Sequence, residues 1–185
     1  MKRNYTNILI AAVLVLIAAS ARIANREMHL PNFAPLAALS LFSGAIIKDK
    51  RIAFLTPLLG QFIADVYFQL FTNTPGFYDV CTQLFNYGGL IAATVLGMRM
   101  AKPKPLNALA YTFGASTLFF LVSNLGVWAA GWYGYSFNSF FKTYRLGLPF
   151  FRYTFMGDMA GGILLFGTYF LLQAAYSSKM QKAKA

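Results

Sequence analysis

Few side chains in this chain could do chemistry, and each stands nearly alone. The single cysteine, Cys81, carries the softest donor. A thiolate binds transition metals well, and coordination itself favours the deprotonated sulfur. Taken alone, a cysteine at the start of an apolar run is a small hydrophobe. Its position is more suggestive, because it follows a turn-rich segment, Thr72 to Asp79, that is free of Lys and Arg and open to an incoming ligand. The single histidine, His29, could supply one ligand or polar contact but makes no metal site by itself. Asp65 and Asp158 are the acids that fall inside apolar runs. An ionised carboxylate there is costly unless it is paired or faces water. Arg22 and Arg152 stand at comparable depth, so structural pairing with them is the expected role of both acids. A proton relay would need further acids. The sequence carries no Walker motif, paired catalytic carboxylates, nucleophile elbow or multi-residue metal signature, so energised transport has no engine within this chain.

The elements that must position these residues are six apolar runs: Ile8 to Ala24, Leu30 to Ile47, Ile52 to Phe71, Val80 to Met98, Leu106 to Trp132 and Tyr153 to Tyr176. Most approach or exceed the ~20 residues that a helix needs to cross a bilayer core. They lack the alternation of a barrel strand, so the expected fold is an all-α membrane protein of six transmembrane helices, one domain over residues 1–185. With 58% hydrophobic and 11% charged residues, little polar sequence is left for a soluble domain.

The net charge of +11 does not point to nucleic acid, because the Lys and Arg residues sit in short connectors rather than on a basic soluble face. It encodes orientation instead. With a cytoplasmic N-terminus, the inner segments hold Lys2, Arg3, Lys48, Lys50, Arg51, Arg99, Lys102, Lys104, Lys179, Lys182 and Lys184, eleven in all. The outer segments hold five: Arg22, Arg26, Lys142, Arg145 and Arg152. The positive-inside rule then places both termini in the cytoplasm. The first run has signal-peptide features, but its length, the following Arg22 and the balanced span count mark it as a retained span.

Pro31 and Pro35 predict an irregular entry to the second span. Pro57 is tolerated early in the third, and Pro103 and Pro105 mark a tight inner turn. Gly131 to Arg152 reads as a long outer loop lying on the interface or over the mouth of the bundle, rich in Trp132, Tyr133, Tyr135, Phe137, Phe140, Phe141, Tyr144, Phe150 and Phe151. Such a lining suits a large organic ligand. Small residues recur at four-residue spacing as Gly89, Ala93 and Gly97, as Ala110 and Gly114, and as Gly157 and Gly161. Packing within one bundle is their expected role, docking of another membrane protein the alternative.

Several blocks carry a resemblance over nearly the whole chain. They are Arg22 to Ala38, with Pro31-Asn32-Phe33-Ala34-Pro35 running into Leu39-Ser40-Leu41-Phe42-Ser43-Gly44; Pro57 to Asp65; Phe119 to Trp128, with Ser123-Asn124-Leu125-Gly126-Val127-Trp128; and Gly147-Leu148-Pro149-Phe150-Phe151 through Gly157-Asp158. The chain resembles small bacterial six-span proteins similar to the S components of energy-coupling-factor transporters, among them the BtuM-like cobalamin transporters. The resemblance implies an S-component-like bundle that captures cobalamin or a related corrinoid on its outer face and moves it across the membrane. It implies Cys81 as axial ligand to the cobalt, with Asp79, Asn32, Phe33, Trp128, Tyr133, Tyr135, Tyr144 and Phe150 around the corrin. Enzymatic activity, if any, would be thiolate-assisted removal of the upper cobalt ligand. The implied partners are membrane lipid and either a transmembrane coupling protein with two ATPases or, for a solitary member, none. The first span departs from the usual docking pattern, since Val15 stands between Ala11 and Ala19. The alternatives are an S-component-like transporter for another vitamin or metal complex, and a non-transporting membrane scaffold in which Cys81 is inert.

Overall fold

The computed structural model describes residues 2–28, 32–73, 75–77, 79–100 and 103–182. His29, Pro31, Lys102 and Lys184 lie outside the described residues. Among those described there are six helices: α1 (Lys2–Glu27), α2 (Leu36–Ile46), α3 (Lys50–Phe71), α4 (Val80–Met98), α5 (Pro105–Ala129) and α6 (Phe137–Lys182). All but α2 are long and apolar enough to cross a membrane. The molecule is a helical membrane protein, but its expected second span is a helix of 11 residues, about 16 Å long against a core of ~30 Å.

The shortening of α2 has a local cause. Asn32 adopts a left-handed backbone with φ 61°, residues 33–35 are irregular, and Pro35 stands at the N-cap without a side-chain hydrogen bond. Irregular backbone at membrane depth is tolerated where protein surrounds it or where it lines a cavity. Ala34 is buried and Asn32 lines an open cavity, while the short helix itself is enclosed: every residue from Leu36 to Gly44 is buried, and α2 packs against all five other helices. Its closest approach is to α4, where Gly44 lies on the backbone of Thr94 and Gly97 on that of Leu41, so a Cβ at either glycine would strike main chain. The other glycines of the stripes also pack internally, Gly89 against Phe119, Gly114 against Leu96, Gly157 against Phe33 and Gly161 against Pro35, while Ala110 is exposed.

Contacts along the helices set their directions. The pairings Phe85 with Gly126, Gly89 with Phe119 and Leu96 with Gly114 run α4 antiparallel to α5. Trp128 with Phe140, Phe120 with Phe151 and Phe113 with Phe155, with ring centroids 5.6, 4.5 and 5.6 Å apart, run α5 antiparallel to α6. Phe33 meets Gly157 and Phe42 meets Phe166, so α2 runs with α6. Ala18 meets Gly60 and Arg22 meets Asp65, so α1 runs with α3. The start of α1 and the end of α6 therefore lie at the same end of the bundle. The five long helices form an arc around α2 that is open between α1 and α6, which do not touch among the described residues.

The segment from Gly131 to Arg152 is not an outer loop. Only a short turn separates α5 from α6, with Gly131 at φ 77° and Gly134 at φ 90°, values that favour glycine. From Phe137 the aromatic residues belong to α6, whose 46 residues extend about 69 Å. Their rings stack on α5, and this packing holds the helix through Pro149, which withdraws one N–H from the ladder.

Candidate functional site

At the end of the bundle opposite the termini, all the helices and the α5–α6 turn surround an open cavity of about 860 Å³. Helix α1 contributes Arg22, Asn25 and Arg26, the entry to α2 contributes Asn32 and Ala34, and α3 contributes Gln61 and Phe68. Thr82 and Asn86 come from α4, one helical turn apart, and Phe119, Phe120, Ser123 and Asn124 come from α5. Trp132 and Tyr133 come from the turn, and Thr143, Phe150, Phe151 and Thr154 from α6. Aromatic faces, carboxamides and two guanidinium groups therefore share one wall, and the charged side chains on it are both cationic.

Behind that wall lies a polar network centred on Asp65, which is 1% exposed. Its Oδ1 accepts from Arg22 Nη1 at 2.6 Å and Gln61 Nε2 at 3.2 Å. Its Oδ2 accepts from Gln83 Nε2 at 2.8 Å, Tyr87 Oη at 3.0 Å and Gln61 Nε2 at 3.2 Å. Arg22 also donates to the Gln61 carbonyl at 3.3 Å and lies 5.5 Å from the Phe68 ring centroid. The expected pairing of Arg22 with Asp65 is present.

The expected pairing of Asp158 with an arginine is not. Arg152 donates to Tyr153 Oη at 2.7 Å and stacks on that ring. Asp158, 0% exposed, instead accepts from the backbone N–H of Ala38 at 3.0 Å. Helix α2 begins at Pro35 without a capping side chain, and the acid from α6 satisfies one of its free N–H groups and faces the positive end of its dipole.

Of the residues expected to bind ligand, Asn32, Tyr133 and Phe150 line the cavity. Phe33 lies beside it with its backbone on Gly157. Trp128 packs edge-on against Phe140, with its indole N–H buried and without a partner among the described residues. Tyr144 donates to the Leu121 carbonyl at 2.9 Å, and Tyr135 covers Gly131 while remaining largely exposed. Cys81 is a partly buried free thiol beside Thr82, and it is Thr82 that forms the wall. The sequence reading expected Arg22 and Asp65 to pair but did not place in the site the polar side chains three or four residues from them, Asn25 and Arg26 beside Arg22 and Gln61 beside Asp65, nor Thr82 with Asn86. That spacing puts them on one helix face and was the available signal.

Asp79 acts at the rim rather than in the wall. Its Oδ1 accepts from the Thr82 N–H at 2.8 Å, capping α4, while its Oδ2 accepts from Thr82 Oγ1 at 2.7 Å and from the Trp132 indole at 2.8 Å. The Thr82 N–H, then the Thr82 hydroxyl and the Trp132 indole, lower its pKa from 3.8 to about 2. A depressed carboxylate contributes stability that is present above the unfolded pKa and lost as pH falls through the folded one. In a Trp128→Phe background, Trp132 emission should therefore stay constant from neutral pH down to about 4 and shift only as pH falls towards about 2. Asp79→Ala should show the shifted emission at neutral pH. A titration centred near neutrality would exclude Asp79 as the clamp.

A family model matches residues 2–181, nearly the whole chain. The chain belongs to DUF6580, a family of unknown function. No curated protein and no solved structure matches this DUF6580 chain. Among its described residues no group of three His, Cys, Asp or Glu side chains could hold a metal ion.

Proposed function

We propose that this chain is a substrate-binding transporter subunit of the bacterial inner membrane that captures cobalamin or a related corrinoid from the outer side. The observation that carries the reading is the cavity of about 860 Å³, within the range of ~300–1,000 Å³ typical of small-molecule sites and open enough for a larger ligand to project. A corrin has broad apolar faces, a rim of carboxamides and, in cobalamin, a phosphodiester. Phe119, Phe120, Phe150 and Trp132 suit the faces, Asn32, Asn86 and Asn124 the rim, and Arg22 and Arg26 an anion. Cobalt in a corrin brings four of its own ligands, so one protein donor is enough. The excess of Lys and Arg at the end that carries the termini orients that end to the cytoplasm and the cavity outward. Delivery then calls for an energy-coupling module or for passive release from a solitary protein.

The axial role of Cys81 is a separable part of the proposal. It requires the thiol to reach the cobalt past Thr82, from just outside the wall. Purified protein titrated with cobalamin should bind it and shift its visible spectrum. Cys81→Ser and Cys81→Ala should both lack the shift. The same ligand should reach the site in right-side-out vesicles and not in sealed inside-out ones. Binding with an identical spectrum in all three proteins would remove Cys81 from the site. No binding to wild type would favour another vitamin or metal complex, or a scaffold.

A further inference from the structure

The carboxylate of Asp65 can only accept hydrogen bonds, and this decides how its neighbours face the cavity. Gln61 turns its Nε2 to both Asp65 oxygens at 3.2 Å, and Gln83 gives its Nε2 to Oδ2 at 2.8 Å. Turning either amide over would set carbonyl oxygen against carboxylate oxygen, so Asp65 fixes both orientations. The consequence falls on Gln61. It is 6% exposed and lines the cavity, and its Oε1 is buried with no hydrogen-bond partner among the described residues. Further along α1, Asn25 lines the same cavity, and its Oδ1 is likewise buried with no partner among the described residues. The buried hydroxyls of Ser40, Thr94, Thr112 and Thr143 return to carbonyls of their own helices, and the other buried polar atoms without a partner among the described residues, Gln83 Oε1, Ser116 Oγ, Trp128 Nε1 and Asp158 Oδ2, belong to residues off the cavity wall. A buried acceptor without a donor costs free energy that a ligand supplying one would recover.

We propose that Gln61, oriented by Asp65 and assisted by Asn25, is a specificity-determining residue that accepts a hydrogen bond from an N–H donor of the ligand, a primary carboxamide on the corrin rim. The assignment rests on the corrinoid reading of the cavity and adds to it the group that is recognised. A carboxylate at that position on the ligand would bring oxygen against oxygen and be rejected.

The test compares cobalamin with its monocarboxylic acids, each with one rim carboxamide hydrolysed, on purified full-length protein. Wild type should bind at least one of these acids about ten-fold or more weakly than cobalamin. In Gln61→Met that discrimination should fall to within about two-fold, while Gln83→Met, which also removes a donor from Asp65 but lies off the wall, should retain it. Where Gln61→Met does not fold, Gln61→Asn withdraws the carbonyl by one methylene and should lose the discrimination in the same way. Discrimination preserved in the Gln61 variants, or absent from wild type that binds cobalamin, overturns the role of Gln61 alone. Wild type that binds no cobalamin overturns the corrinoid reading and this assignment with it.

Discussion

Arg22→Met is expected to lower stability in detergent by about 3–5 kcal/mol without any ligand, because it strands the buried carboxylate of Asp65. Arg22 is the cation at that carboxylate, 2.6 Å from Oδ1. Gln61, Gln83 and Tyr87 remain as neutral donors and do not balance its charge. The double substitution Arg22→Met with Asp65→Asn should recover most of the loss, since it removes both charges and keeps a side chain of similar shape. Reversible unfolding of the two single variants and the double variant measures the coupling. A double variant no more stable than Arg22→Met would place the cost in the lost packing of the guanidinium on Phe68.

Asp158→Ala is expected to cost about 1–3 kcal/mol, the range for a helix cap or a hydrogen bond to a charged group. That is less than for Arg22, because no opposite charge is stranded. Asp158→Asn keeps an acceptor for the Ala38 N–H and should recover most of the stability. The effect should be local first, with faster amide exchange at the start of α2 before global unfolding. Arg152→Ala should leave stability unchanged within about 0.5 kcal/mol, as expected for a residue on the surface. An Arg152 variant as damaging as Asp158→Ala would restore the ion pair that the sequence suggests.

The long spans were legible because apolar length alone announces them: α3, α4 and α5 begin and end within a few residues of the runs that predicted them. Where two signals compete, length misleads. The run from Leu30 to Ile47 counts as a span by composition, yet the turn at Asn32 and the proline at position 35 leave a helix of 11 residues that survives by being enclosed. The stretch after Gly131 reads as a loop because glycine, proline and polar residues interrupt it, but ring packing against α5 carries it as helix. In the site, the aromatic residues Tyr133 and Phe150 were visible as types, and Asn32 by its place in the entry loop. Gln61, Asn25 and Asn86 were not, since an amide in or beside an apolar run marks a site only when it is read together with the polar residue one helical turn away. The partner of Asp158 could not be read at all: a backbone N–H exists at every residue but proline, and only the fold selects which one is free.

The bond from Asp158 to Ala38 joins residues 120 positions apart, and that distance orders the biogenesis of the protein. The second helix leaves the ribosome early, too short to cross the bilayer and with its first N–H groups open, each costly in hydrocarbon. The side chain that closes one of them is made only when the last helix is being synthesised. The bond that closes the start of the second helix can thus form only once nearly the whole chain has been made.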